Sequence, residues 1–181
     1  MTNVSQILEN LDKVDGVEIS KLEKSLKLTK KLDRDNIGIA LKALTKLGVI
    51  NTIDDNKLII NKEIDFIKGR VRCSSKGYCF VVREDLGEDI YIRESNLNHA
   101  WHGDSVLVLI TKEGLRRRAP EGSIQCVLNR YNNVLLAKVE KEKSTGELKA
   151  YPLDDRIPAI IEVNNQIKTN NEIPSKEIIY E

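Results

Sequence analysis

The chain has 181 residues, 40% of them hydrophobic and 31% charged, with a formal net charge of +1. That balance suits a folded chain and excludes a disordered one. No apolar run reaches the roughly 20 residues a bilayer span requires, and Met1-Thr2-Asn3-Val4-Ser5-Gln6 lacks the basic start and apolar core of a signal peptide, so a cytoplasmic protein is expected.

The first third follows a helical period. Ile7, Leu8 and Leu11 form one apolar stripe that ends near Asp15-Gly16. Ser20, with Glu23 three residues on, has the spacing of a capping box, and Leu22 and Leu26 then share a face. Asp33 or Asp35 opens a third helix whose apolar face is Ile37, Leu41, Leu44 and Leu47, with Gly48 as its stop. Val49-Ile50, a turn at Asp54-Asp55-Asn56 and Leu58-Ile59-Ile60 outline a hairpin. Three helices and a hairpin in this order predict a winged helix-turn-helix over residues 1–65.

From Ile67 the period changes to 2. Strands are expected at Lys68–Cys73, Tyr78–Arg83, Asp89–Arg93, Ser105–Thr111 and Gly122–Asn129, with turns at Ser74-Ser75-Lys76-Gly77, Asp85-Leu86-Gly87 and Gly103-Asp104. Five short, evenly spaced strands fit a small OB-type barrel over residues 66–130. Residues 131–181 are strand-like from Asn133 to Val139, but Pro152, Pro158 and Pro174 leave too little for a second closed barrel. The fold class is therefore α+β, multidomain: a winged helix, a five-stranded OB-fold and a partial second OB module.

Charge directs attention to the middle of the chain. Residues 66–140 hold 12 Lys+Arg against 9 Asp+Glu, whereas residues 1–65 hold 11 of each and residues 141–181 hold 6 against 8. On an extended strand Tyr78 and Phe80 point one way and Cys79 and Val81 the other. The small residues suit a barrel interior, which puts two rings outside. Tyr91 lies on the outer face of the next strand, opposite Ile90 and Ile92. Paired antiparallel, these strands can present the three rings as a platform for stacked bases. Arg70, Arg72, Lys76 and Arg93 would meet phosphates beside it. The alternative for the rings is a satellite hydrophobic cluster. Arg116-Arg117-Arg118 is the densest positive run, either a solvated loop or a further RNA contact at the barrel rim.

Other residues carry blander readings. Cys73, Cys79 and Cys126 form no CxxC pair and cannot all join in disulfides, so reduced thiols are expected and no metal site. His102 shapes a turn, since no nucleophile or orienting partner accompanies it. Trp101 is expected to plug the barrel, and Asp154-Asp155 to form a proline-flanked turn. Asp33 and Asp35 would face DNA phosphates with the wrong sign, which disfavours a winged-helix DNA-binding regulator.

Lys76-Gly77-Tyr78-Cys79-Phe80-Val81 and Asp89-Ile90-Tyr91-Ile92-Arg93 resemble the paired RNA-binding motifs of cold-shock domains. The series His102-Gly103-Asp104-Ser105-Val106, Arg116-Arg117-Arg118-Ala119-Pro120-Glu121-Gly122 and Val127-Leu128-Asn129-Arg130 is similar to the first cold-shock-like module of the ribonuclease R and ribonuclease II exoribonucleases. Leu44-Thr45-Lys46-Leu47-Gly48-Val49-Ile50 resembles part of the N-terminal extension of ribonuclease R, and Tyr151-Pro152-Leu153-Asp154-Asp155-Arg156 the early part of the second module. Two departures stand out. Val71 and Arg72 replace the tryptophan and phenylalanine of the cold-shock first strand, and Arg93 replaces a histidine. Binding should therefore lean on phosphates and be salt-sensitive.

The resemblance implies the RNA-binding N-terminal portion of a 3′-to-5′ exoribonuclease, collecting single-stranded RNA for a catalytic domain that these residues do not contain. No catalytic residue, metal ligand or cofactor is expected in this chain, and the family's Mg²⁺ would belong to the absent domain. The partners expected are single-stranded RNA and, through the winged helix, other RNA-processing proteins, with the chain a monomer and no membrane contact. The rival reading is a free-standing RNA-binding adaptor or RNA chaperone.

Overall fold

A computed structural model describes residues 4–12, 15–53, 56–142, 144–157 and 159–163, together with the backbone of residues 178–180. The chain divides into two compact units, Met1–Ile67 and Lys68–Glu181.

The first unit contains α1 (Val4–Leu11), β1 (Val17–Glu18), α2 (Ile19–Ser25), α3 (Lys31–Lys46), β2 (Ile50–Ile53) and β3 (Lys57–Ile60). Helical spacing brings Ile7 and Leu11, Leu22, and Ile37, Leu41 and Leu44 to one shared core, where all are buried. The end of α3 is the Schellman arrangement expected of Gly48. Its φ of 71° is open to glycine, and the N–H groups of Gly48 and Val49 donate to the carbonyls of Thr45 and Leu44.

The helix starts differ from expectation. Glu18, not Ser20, caps α2, and the Ser20 hydroxyl turns to the Glu18 carboxylate. Lys30 caps α3, three residues before Asp33 and five before Asp35. Pairing explains the first change. Val17–Glu18 is held as a strand against β3, giving a sheet in the order β1-β3-β2, and the Ile19 N–H donates to the Asn56 carbonyl, so the chain turns into α2 directly where this pairing ends. Of the expected hairpin turn, Asp54 and Asp55 lie outside the described residues.

The second unit opens with β4 (Ile67–Cys73, its first residue counted with the first unit), β5 (Cys79–Arg83), β6 (Ile90–Ile92), a 3-10 turn at Glu94–Asn96, β7 (Ser105–Lys112) and β8 (Glu121–Asn129). These five strands close into an OB-like barrel in the order β4-β5-β6-β8-β7, in which β6 and β8 run parallel. Each lies within a residue or two of its expected place, because alternation is unbroken: β4 reads buried, exposed, buried through all seven residues. The barrel closes where the Val71 N–H donates to the Asp104 carbonyl and the Gly103 N–H to the Val71 carbonyl. Val71, Val81, Ile90, Ile92, Val106, Val108 and Ile124 fill it and are almost wholly buried. Each contributes on the order of 1.5–3 kcal/mol over an exposed side chain.

Beyond the barrel, β9 (Leu135–Lys141), β10 (Leu148–Pro152), β11 (Ile161–Val163) and β12 (Ile178–Tyr180) form an open antiparallel sheet in the order β11-β10-β9-β12. Pro152 sits at the last position of β10, where a missing N–H costs least. Pro158 and Pro174 lie outside the described residues.

Candidate functional site

The register of the barrel determines which side chains meet outside it. Arg72 pairs with Phe80, Phe80 with Tyr91 and Tyr91 with Glu121, so one row crosses β4, β5, β6 and β8. Cys73, Cys79 and Ile92 form the next row and point inward, where all three are buried. Phe80 and Tyr91 are half-buried and in tilted ring contact, their centroids 5.4 Å apart. Tyr78 stands apart. It precedes β5 in the hairpin, is 57% exposed, and among the described residues makes no ring–ring contact. Two of the three expected rings therefore share the face and the third lies at its rim.

The flanking cations divide into free and paired. Arg70 and Arg72 project from the exposed positions of β4 and have no carboxylate partner among the described residues. Arg93 is held by Glu121 through Nε at 3.1 Å and Nη2 at 2.8 Å, which weakens its pull on a phosphate. Lys76 is exposed at the β4–β5 hairpin tip. Arg116, Arg117 and Arg118 lie exposed in the loop between β7 and β8, where Leu115 and Arg118 close a small turn.

Several residues that looked minor in the sequence prove to organise this unit. Asp104 is 1% exposed and accepts three hydrogen bonds: from Arg130 Nη1 at 2.6 Å, from the Trp101 N–H at 2.8 Å and from the Tyr131 N–H at 3.0 Å. The Arg130 guanidinium lies over the Trp101 ring, 4.4 Å from its centroid. Trp101 is thus half-buried beneath an arginine, not a plug. Leu97 and Ala100 take the buried places beside it, and sharing the ring between packing and a cation suits its size. His102 shapes the turn as expected, its Nδ1 accepting the Cys73 N–H at 3.0 Å.

The expectation of reduced thiols needs correction at two positions. Cys73 and Cys79 are directly opposed across β4 and β5, with Cα atoms 4.1 Å apart, and are joined by a disulfide. A hairpin that sets cysteines in the same register on the same face brings their sulfurs together without any CxxC spacing. Cys126 is free and half-buried, and burial pushes its thiol up to about 11.

Asp154-Asp155 forms the turn expected of it. The Asp154 carboxylate clasps Arg156 through Nε and Nη2, each at 2.8 Å, and that pairing holds its pKa down to about 2. Among the described residues no group of three or more His, Cys, Asp or Glu is placed to hold a metal ion. Nor is any helix long and apolar enough to cross a membrane.

Residues 69–127 match the family described as the Ribonuclease B OB domain, and residues 5–60 the one described as Cyanobacterial RNase R, N-terminal domain. The Acetazolamide conferring resistance protein zam of Synechocystis sp. (strain ATCC 27184 / PCC 6803 / Kazusa) is 42% identical over 151 residues, which cover 83% of this chain and 19% of that protein. Ribonuclease R of Buchnera aphidicola subsp. Acyrthosiphon pisum (strain APS) is 22% identical over 147 residues, or 81% of this chain and 18% of that protein. The chain thus spans about a fifth of the length of the curated relatives it matches. Among solved structures, the apo form of Mycoplasma genitalium RNase R superposes with a TM-score of 0.51 at 20% identity, covering 62% of this chain and 18% of that one.

Proposed function

The chain carries an N-terminal RNase R-like region, and from that premise we propose that it binds single-stranded RNA for a 3′-to-5′ exoribonuclease. The observation that carries the proposal is the outward row Arg72, Phe80, Tyr91 on a closed barrel. Rings in contact, with the guanidinium groups of Arg72 and Arg70 at their side and without a carboxylate partner among the described residues, offer bases a stacking surface and phosphates a counter-charge. Tyr78, Lys76 and Arg116–Arg118 would extend the contact at the rim, and Arg93 would contribute less because Glu121 already neutralises it. In this reading the strand passes on to a catalytic domain outside residues 1–181, and Mg²⁺ would be held there.

The first unit is proposed as a winged helix-turn-helix that contacts RNA-processing proteins. Leu32 and Ile39 stand exposed on α3, and Asp33 and Asp35 beside them disfavour a polyanion. The four-stranded sheet is proposed as part of a second OB module, and the chain as a cytoplasmic monomer.

Fluorescence anisotropy with a labelled 12-nucleotide oligouridylate tests the reading. Phe80→Ala/Tyr91→Ala should raise Kd by roughly 10- to 100-fold, at ~1–3 kcal/mol for one base stacked on the paired rings, while the slope of log K against log salt stays nearly unchanged. Equal affinity of the wild type and the double variant would overturn it. The wild-type chain should also leave the oligonucleotide its full length with Mg²⁺ present.

A further inference from the structure

Beside the Arg72 end of the aromatic row lies a groove of 780 Å³, lined among others by Arg70, Arg72, His102, Tyr131, Asp154 and Arg156. Its chemistry is set by one conflict. His102 Nδ1 accepts the backbone N–H of Cys73, so it holds a lone pair and the neutral ring must carry its proton on Nε2. Arg156 is fixed by the two oxygens of Asp154, which leaves Nη1 directed at that same Nε2, 3.3 Å away. Two N–H donors therefore face each other with no acceptor between them. Such a pair is relieved by one anionic oxygen, since nitrogens 3.3 Å apart can both reach it at an ordinary charge-assisted distance of about 2.8 Å.

The surroundings say which anion. Tyr131 is 63% exposed yet held at three points. Its N–H is bound by buried Asp104, the Arg70 guanidinium lies 5.8 Å from its ring centroid, and its ring packs on Gly103. A Cβ at Gly103 would come within 2.6 Å of that ring, and its φ of 92° disfavours any other residue. An exposed ring kept in place beside Arg70 and Arg72, which have no carboxylate partner among the described residues and supply the counter-charge that Asp154 takes from Arg156, suits a nucleobase followed by its phosphate.

We propose that His102 Nε2 and Arg156 Nη1 form a phosphate notch that takes one phosphodiester of a single-stranded RNA, with the neighbouring base on Tyr131. The inference rests on the RNA-binding reading and adds a second stretch of strand to it. The notch and the Phe80–Tyr91 row then share Arg72, so the strand runs from the platform into the groove.

The test is the oligouridylate titration repeated on Arg156→Gln, His102→Asn, their double variant and Arg156→Lys, with the thermal midpoint of each recorded to exclude unfolding. If one phosphodiester is held by both donors, Kd rises roughly 10-fold in Arg156→Gln and His102→Asn alike and no further in the double variant, while the salt slope stays nearly unchanged in His102→Asn because the cations beside the strand are the same. Arg156→Lys should keep most of the affinity. In a parallel titration, inorganic phosphate should shift the His102 ring nitrogen signal of the wild type and not of Arg156→Gln. If Phe80→Ala/Tyr91→Ala weakens binding while the notch variants leave affinity as in the wild type, the notch is wrong and the platform stands. If the wild type binds no oligouridylate, the functional reading and the notch fall together.

Discussion

The two units solve the same folding problem and expose different chemistry. The helical unit hides Ile7, Leu11, Leu22, Ile37, Leu41 and Leu44 under a surface with as many acids as bases, and the single aromatic residue it holds is Phe66. The barrel fills its interior with Val71, Val81, Ile90, Ile92, Val106, Val108 and Ile124 and keeps Phe80 and Tyr91 on its outside, near Arg70 and Arg72, which have no carboxylate partner among the described residues. Burial explains where the apolar residues of both units go. It does not explain outward rings, which expose apolar surface that a barrel has no structural need to show. The difference is the ground for proposing the RNA contact on the barrel and contacts of another kind on the helical unit.

The largest expected effect separates the units energetically. Asp104→Ala strips three donors of their acceptor and leaves Arg130 facing an apolar gap, and should cost the barrel unit about 3 kcal/mol. Leu41→Ala should cost the helical unit a similar amount through its cavity. In urea unfolding followed by residue-resolved NMR, each variant should shift only its own unit's signals. A common shift of both would break the comparison.

The disulfide should contribute less. Cys73 and Cys79 are six residues apart, and closing so short a loop limits chain entropy by about 2 kcal/mol. Reductant should lower the thermal midpoint of the barrel signals and leave the helical unit unmoved. Alkylation without reductant should label neither cysteine, and finding both labelled would show that the pair stands as thiols.

The smallest effect is the clasp of Asp154. Its pKa is lowered from 3.8 to about 2 by the Arg156 pairing. The stability it adds is therefore present above pH 4 and is lost as pH falls through about 2. A carboxyl titration by NMR should give a midpoint well below 3.8 in the wild type and near 3.8 in Arg156→Gln. An unshifted midpoint in the wild type would remove the anchor of the notch.

Much of this was legible in the residues. Alternation in Tyr78–Arg83 and Asp89–Arg93 located the strands and assigned Cys79 and Val81 inward and Phe80 and Tyr91 outward, since a period of 2 leaves no other choice once one face is buried. Helical spacing likewise found Ile7 and Leu11 of α1 and Ile37, Leu41 and Leu44 of α3, whereas Leu47, expected on the same face, is the C-cap and is exposed. The cap of α2 was misplaced because capping competes with strand pairing: Glu18 is committed to β3, a partner 39 residues along the chain. Trp101, Tyr131 and Arg130 carried no local signal, since their places depend on Asp104, up to 27 residues away.

The sequence by itself determined the three helices, the five barrel strands and the outward turn of Phe80 and Tyr91, because these follow from the period of apolar residues along a short stretch. Only the tertiary structure decided which side chains meet: Cys73 with Cys79, Arg93 with Glu121, Arg156 with His102. Those meetings depend on register and on closure of the barrel, and both are set by backbone pairing between distant segments, which no local pattern records.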